Sequence, residues 1–245
     1  MAEWFENEKF WEDMYPFLFP ERAFESAFGQ VEDIIAITNF TGGKVLDLCC
    51  GPGRHTYELA KRGYQVTAVD RTPYLLSKAR DRCVSCQENI EFVEEEMLHF
   101  CREDHYDLVI NLFTSFGYYE KEEDNYKVLE NIYNSLSRGG RLVMDLAGKE
   151  IVAKNFHDTG SSEVGDMTMI EKRIIHDGWR KITNEWMLLW NGRYTMHQFT
   201  IYVYSGHELK SLLQQAGFKH IDLYGDWDKR SYDQNARRLI AIAEK

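Results

Sequence analysis

The residues best suited to chemistry surround a glycine-rich turn at residues 44–55, Lys-Val-Leu-Asp-Leu-Cys-Cys-Gly-Pro-Gly-Arg-His. Residues 45–48 predict a buried strand, and residues 49–53 predict a turn that leads into a helix. A second short strand, residues 65–69, is followed by Asp70. Ligands bind beyond the carboxyl ends of parallel strands, where an acid after the second strand can accept hydrogen bonds from both hydroxyls of a ribose. The pattern therefore predicts a site for an adenosine-containing cofactor.

Four residues around this turn indicate which cofactor fits. Gly51 and Gly53 match the first two glycines of the dinucleotide fingerprint Gly-x-Gly-x-x-Gly, but Thr56 occupies the position of the third. Asp47 lies four positions before Gly51, where its carboxylate would repel a pyrophosphate and attract an ammonium or sulfonium group. These residues favour a ligand that is cationic at one end and carries adenosine at the other. A nucleotide-dependent oxidoreductase of the NAD type stays as an alternative.

Residues 45–53, read together with Val69 and Asp70, resemble the class I S-adenosylmethionine-dependent methyltransferases. The family pattern is hydrophobic-Leu-Asp-Leu-Gly-Cys-Gly-x-Gly, and the chain departs from it at Cys49, where the family usually has glycine. The resemblance extends from about residue 45 to 145 and resumes at residues 208–218. It implies a methyltransferase with an α/β, Rossmann-like, seven-stranded and mostly parallel sheet, helices on both faces and a reversed final strand. A non-catalytic regulator that binds S-adenosylmethionine is a further alternative.

The resemblance also implies which residues hold the cofactor. The glycine turn would contact its methionine part, Asp70 the ribose hydroxyls, and Arg71 one side of the adenine. Glu96 and Met97 resemble the acidic and hydrophobic pair beside the adenine amino group and ring. In methyltransferases of this kind an N-terminal segment often closes the pocket and reaches the cofactor carboxylate. The cofactor-binding residues expected on this basis are Tyr15, Arg22, Asp47, Cys49, Gly51, Gly53, Asp70, Arg71, Glu96, Met97 and Asn111.

The loop after the fourth predicted strand, residues 111–119, is one of two regions that can reach the transferred methyl group. Direct displacement requires alignment of donor and acceptor and exclusion of water, but no nucleophilic residue of the protein. Enzymes that methylate base amino groups or glutamine carry Asn/Asp-Pro-Pro-Tyr/Phe here, whereas this chain reads Asn-Leu-Phe from residue 111. The difference favours a small-molecule acceptor, methylated at nitrogen or oxygen, with Phe116 and Tyr118 among its contacts.

The second such region is an insertion at residues 167–204. Its three strand-like runs are joined by Asp-Gly at residues 177–178 and Asn-Gly at residues 191–192, two strong hairpin signals. Two-residue turns place Trp186, Trp190, Arg193 and His197 on one face, an aromatic wall suited to a small ligand with an anionic group. The alternative is that the two tryptophans only form the core of the insertion.

Two histidines are candidates for a general base, which is needed only if the acceptor arrives protonated. His197 lies on the aromatic face of the insertion. His55 begins the helix beside the glycine turn, where a place in the pocket wall is its other interpretation.

The order of predicted elements divides the chain into four parts. Residues 1–40 form a helical N-terminal lid segment, rich in aromatic side chains and with helical spacing of apolar residues over 21–39. Residues 41–156 form the cofactor-binding core, because alternating strands and helices predict a parallel sheet. Residues 157–204 form an antiparallel β cap over the substrate, and residues 205–245 complete the core.

The charge balance is acidic, with 29 Lys and Arg against 40 Asp and Glu and a net charge of −11. This balance disfavours nucleic acid as a partner, and the absence of a long apolar run predicts no membrane span and a cytoplasmic protein. The five cysteines, an odd number, agree with a reducing compartment. Cys83 and Cys86 lack a second pair at zinc spacing, so we expect no metal. We expect a monomer or homodimer that acts on a small molecule.

Overall fold

The computed structural model describes residues 3–245 and has an α/β architecture with two sheets. In chain order the strands are β1 (Lys44–Leu48), β2 (Gln65–Asp70), β3 (Ile90–Glu94), β4 (Tyr106–Asn111), β5 (Leu136–Leu146), β6 (Thr159–Val164), β7 (Met167–His176), β8 (Lys181–Trp190), β9 (Arg193–Tyr202), β10 (Lys219–Tyr224) and β11 (Leu239–Glu244). The α-helices are α1 (Glu8–Leu18), α2 (Glu21–Glu25), α3 (Ala27–Thr38), α4 (Arg54–Lys61), α5 (Pro73–Arg82), α6 (Glu122–Ser135), α7 (Lys149–Lys154) and α8 (Gly206–Gln215).

Seven strands form the central sheet, in the order β10-β11-β5-β4-β1-β2-β3. β1 pairs in parallel with β2 and with β4, whereas β11 is antiparallel to both β5 and β10. The chain moves outward from β1 to β3 and then returns to the other side of β1 for β4 and β5. A crevice therefore opens between the carboxyl ends of β1 and β4, where ligands bind in such sheets. The predicted seven-stranded Rossmann-like sheet with a reversed final strand is confirmed.

The central strands are apolar on both sides because helices cover both faces of the sheet. All residues of β1 after Lys44 are buried, and so are residues 108–111 of β4. Apolar clusters pack on each face, one around Leu46 and Leu129 and the other around Val45 and Leu59. This packing fixes the strand ends from which the site is built. Within residues 3–245, no helix has the length and apolar character needed to cross a membrane.

Strands β6 to β9 form a second, antiparallel sheet inserted after β5. The register pairs Trp186 with His197 and Trp190 with Arg193, as the two-residue Asn-Gly turn predicted. The other turn has four residues, not the predicted two, because His176 pairs with Lys181. The insertion has four strands where three were predicted. The missed strand, β6, reads Thr-Gly-Ser-Ser-Glu-Val, and it lacks apolar alternation because it is an edge strand that pairs only with β7.

Residues 21–39 form two helices, α2 and α3, which corrects the prediction of one helix there. α2 and α3 meet at Ser26, whose hydroxyl donates a hydrogen bond to the Ala23 carbonyl oxygen at 3.1 Å. Such bonds compete with a continuous helix. Phe10 and Met14 of α1 are buried in a cluster that includes Phe199 of β9. This cluster fixes α1 against the second sheet.

Candidate active site

A cavity of about 800 Å³ lies at the carboxyl ends of β1, β2 and β4. Its wall includes Asp47 and Asp70 from the central sheet, Trp4 from the N-terminal segment, and Trp186 and Phe199 from the second sheet. This volume is within the range of about 300–1,000 Å³ that is typical of pockets for small organic ligands. Three parts of the chain that are distant in sequence therefore enclose one site.

The glycine turn at residues 49–53 contains three left-handed residues. Cys49, Gly51 and Gly53 have φ values of 64°, 55° and 74°, so Cys49 adopts a conformation that glycine usually supplies. A Cβ atom on Gly53 would lie 2.8 Å from the Cβ atom of Ala79, so this glycine allows the turn to pack against α5. Gly53 does not line the cavity, whereas Cys49 and Gly51 do.

Asp70 is held at the end of β2 by two backbone donors. Its carboxylate accepts hydrogen bonds from the N–H groups of Gly51 (2.8 Å) and Thr72 (2.9 Å). A carboxylate has about four acceptor positions, so two stay available for other donors. Asp70 is thus oriented toward the glycine turn, and its carboxylate can accept hydrogen bonds from the two hydroxyls of a ribose.

The next strand end carries a network around Glu96. Its carboxylate lies 2.8 Å from Arg71 Nε, accepts a hydrogen bond from the Met97 N–H at 3.0 Å, and accepts another from the Tyr119 hydroxyl. Burial and the neighbouring Glu96 raise the pKa of Tyr119, which keeps this phenol a neutral donor. Arg71 also donates to the Phe5 carbonyl oxygen at 3.2 Å. The network therefore links the predicted adenine end of the site to the N-terminal segment.

Asp47 belongs to β1, and Asn111 is the last residue of the neighbouring strand β4. Thr56, which replaces the third fingerprint glycine, donates a hydrogen bond to Asp47 at 2.6 Å. Burial raises the pKa of Asp47 to about 6, although Thr56 and Arg54 lower it. The Asn111 amide donates to the Leu48 carbonyl oxygen at 3.2 Å, and its own buried oxygen has no partner among residues 3–245. Asn111 lies behind the cavity wall, next to Cys49.

Trp186 and Trp190, which share a face of β8, have different surroundings. Trp186 lines the cavity and packs edge to face on Phe199, with 4.7 Å between ring centroids. Trp190 is 41% exposed and donates to Asp166 at 3.0 Å. Its partner Arg193 is also exposed, and neither residue lines the cavity. The prediction that they form the substrate wall is corrected, because both flank the hairpin turn, about 13 Å along the strand from Trp186.

Three further predicted residues lie outside the cavity wall. His197 Nε2 is 3.1 Å from a carboxylate oxygen of Asp13, so this histidine contacts α1. Tyr15 packs against Phe19 and Tyr74. Phe116 is 1% exposed and packs on another buried ring, that of Tyr204. These side chains stabilise the walls, whereas Tyr118 and Arg22 line the cavity itself.

A family model for a methyltransferase domain matches residues 45–140, the region that contains the glycine turn, Asp70 and the Glu96 network. The chain therefore contains a methyltransferase domain of the class I S-adenosylmethionine-dependent type. It is 24% identical over 206 residues to a glycine/sarcosine N-methyltransferase from Aphanothece halophytica, covering 82% of this chain and 76% of that protein.

Solved methyltransferase structures share the fold. The CcbJ methyltransferase from Streptomyces caelestis superposes with a TM-score of 0.80 at 17% identity and 89% coverage of both chains. The S-adenosylmethionine-bound CalS10, an amino pentose methyltransferase from Micromonospora echinaspora, superposes with a TM-score of 0.69 at 17% identity, covering 96% of this chain and 97% of that one.

His55 is the candidate base that lines the cavity of this methyltransferase. It is 4% exposed, and its Nε2 lies 2.8 Å from the Gln30 side-chain oxygen. Because that oxygen can only accept, Nε2 carries the proton and Nδ1 is the free acceptor. Burial and the adjacent Arg54 lower the pKa of His55 well below its ordinary value. The imidazole is therefore neutral at physiological pH.

Several residues of the methyltransferase site could not be predicted from the sequence. Trp4, Phe10, Asn184 and Phe199 line the cavity from the N-terminal segment and the second sheet. No local motif marks them, because their approach to the glycine turn depends on packing between distant segments. Arg54 also lines the cavity, and a basic residue directly after the glycine turn was a signal that could have identified it.

Proposed function

We propose that this methyltransferase transfers a methyl group to a nitrogen or oxygen atom of a small-molecule acceptor by direct displacement. The observation that supports it is that a single cavity contains both the strand-end residues suited to the cofactor and an aromatic wall from the N-terminal segment and the second sheet. An amine is the first acceptor to test, because the Aphanothece relative is named as a glycine/sarcosine N-methyltransferase.

We assign the cofactor to the strand-end side of the cavity. Asp70 would bind the ribose hydroxyls, and Arg71, Glu96 and Met97 would surround the adenine. Bound S-adenosylmethionine supplies a methyl group activated on a positively charged sulfur. The chemistry of the residues present fits, since Asp47 lines the cavity and its carboxylate is an acceptor suited to an ammonium group.

The acceptor would bind on the aromatic side, between residues 1–40 as a lid and residues 157–204 as a cap. Trp4 and Trp186 both pack on Phe199, with centroid separations of 4.8 and 4.7 Å. Such rings exclude water, and their faces attract the positive charge of an approaching amine or of the donor sulfur. His55 is the residue proposed to accept a proton from a charged acceptor at Nδ1.

The experiment is a screen of small amines, amino acids, amino sugars and hydroxylated acids, monitored by release of S-adenosylhomocysteine. We expect turnover with at least one of these compounds and none with a protein or nucleic acid substrate. Turnover of a macromolecule alone would contradict the proposal. Calorimetry with NADH in place of S-adenosylhomocysteine tests the oxidoreductase alternative, for which NADH would have to bind more tightly.

A further inference from the structure

Arg54 is a cation in the cavity without an oxygen partner. It is the first residue of α4, directly after Gly53, and its guanidinium group lies over the Phe113 ring, 3.7 Å from the centroid. Among residues 3–245, the guanidinium forms no salt bridge within 4.0 Å, and Asp47 and Asp145 act on it only as nearby charges. Its charge is therefore available to a ligand.

The other arginines around the cavity differ from Arg54. Arg71 is paired with Glu96, and Arg173 with Glu171. Arg22 is exposed on α2, where water can satisfy its guanidinium. Arg54 alone among these four is mostly enclosed and lacks a protein acceptor.

The enclosure of Arg54 makes an unpaired state unfavourable. Burial lowers its pKa to about 10, against the opposing effect of Asp47 and Asp145, so the guanidinium stays charged at neutral pH. An enclosed charge that lacks a partner is costly, and its planar array of N–H groups matches two oxygens of a carboxylate. Asp47 disfavours a doubly charged phosphate nearby but suits an ammonium group. The two side chains together match the two ends of an α-amino acid.

We propose that Arg54 anchors the carboxylate of an α-amino acid group in this cavity, with Asp47 facing the ammonium of the same group. This inference rests on the proposed function and deepens it, because such a group has two sources. One is the methionine end of the cofactor, and the other is an amino acid acceptor. Phe113 holds the guanidinium in place by stacking, and both it and the following residue, Thr114, have positive φ values of 57° and 62°. Such strained residues persist mainly at functional sites.

The test compares Arg54→Met with the wild-type enzyme by calorimetry, using two probes. S-adenosylhomocysteine carries the amino acid end, whereas 5′-methylthioadenosine lacks it. If the cofactor supplies the carboxylate, Arg54→Met lowers the affinity for S-adenosylhomocysteine about tenfold or more. The affinity for 5′-methylthioadenosine then stays unchanged. If an acceptor supplies it, both affinities persist, and binding of glycine or acetate to the S-adenosylhomocysteine complex is lost instead. Arg54→Lys should retain part of either affinity, because the charge stays but the planar fork is lost.

The matched control is Arg138→Met, which removes an exposed positive charge near the amino end of β5, away from the carboxyl ends that border the cavity. It should change none of these affinities. If Arg54→Met alters neither S-adenosylhomocysteine binding nor glycine and acetate binding, the inference is overturned. If the wild-type enzyme itself binds neither adenosine compound, the proposed function fails first. Unchanged binding of 5′-methylthioadenosine also shows that the variant is folded.

Discussion

The two sides of the cavity are built in different ways. On the cofactor side, neighbouring strand ends present side chains held by short hydrogen bonds, as when Asp70 accepts from Gly51 and Thr72. On the acceptor side, rings from the N-terminal segment and the second sheet pack against one another, as Trp4 and Trp186 do on Phe199. The first side depends on the geometry of one sheet, and the second on contacts between distant segments. We therefore expect substitutions on the two sides to have separable effects.

The largest effect is expected from Asp70→Ala. Loss of the carboxylate removes the proposed ribose acceptor, so the affinity for S-adenosylhomocysteine should fall by about tenfold or more, measured by calorimetry. Circular dichroism should show that the variant is folded. Asp222→Ala, at an exposed position of β10, is the control. If Asp70→Ala binds S-adenosylhomocysteine with unchanged affinity, the assignment of Asp70 to the ribose site is contradicted.

Trp186→Ala and Trp190→Ala form a matched pair from one face of β8. Trp186 lines the cavity, so its replacement should lower kcat/KM for the acceptor by about tenfold, whereas Trp190 is outside and its replacement should leave turnover within about twofold. Steady-state kinetics and thermal unfolding check this. Equal losses of stability without a kinetic difference would indicate that Trp186 only packs the core of the insertion.

The cofactor side should also respond to pH through Asp47. With its pKa raised to about 6, this carboxylate is charged above that pH and attracts the cofactor ammonium. Affinity for S-adenosylhomocysteine should therefore decrease as the pH falls below about 6, by up to about tenfold per unit. Asp47→Asn should weaken binding and flatten this dependence. A dependence that persists in Asp47→Asn would point to Asp70, whose pKa burial also raises.

The same raised pKa predicts the opposite trend for stability of the free protein. The unfolded state releases the Asp47 proton near pH 3.8 and the folded state near 6. The contribution of Asp47 to stability is therefore lost as the pH rises between these values. Urea unfolding of the wild type and Asp47→Asn across this interval measures it, and identical pH profiles would contradict the assignment.

The smallest effect is expected at the contact between α1 and β9, where His197 lies 3.1 Å from Asp13. His197→Gln should lower the free energy of unfolding by about 1 kcal/mol and change kcat by less than about threefold. The pH profile of kcat distinguishes this role from general base catalysis. Loss of the acidic limb of that profile, where activity falls because a general base becomes protonated, would restore His197 as the base.

The cofactor side could be predicted from the sequence because its residues follow local signals. Asp70 and the glycine turn lie at the ends of adjacent parallel strands, and strand pairing alone brings them together. The fingerprint shows only that Thr56 replaces a glycine, whereas the structure shows that its hydroxyl donates a hydrogen bond to Asp47. Arg54 is not part of the glycine and acid pattern of the motif, so the pattern does not predict its place in the cavity wall.

The acceptor side could be predicted only in part. Alternation along β8 and β9 correctly placed Trp186, Trp190, Arg193 and His197 on one face, but it carries no information about which end of the hairpin meets the core. The ring centroids of Trp4 and Phe199 are 4.8 Å apart. These residues are distant in the sequence and come into contact only in the folded protein. Helical and strand periodicity cannot reveal such a contact.

The division of the cavity into two sides is tested most directly by titrating S-adenosylhomocysteine into the wild type, Asp70→Ala and Trp186→Ala in parallel. We predict that Trp186→Ala binds it with nearly wild-type affinity, while Asp70→Ala binds it about tenfold or more weakly. Equal weakening in both variants would contradict the separation, because the aromatic wall would then be part of the cofactor site.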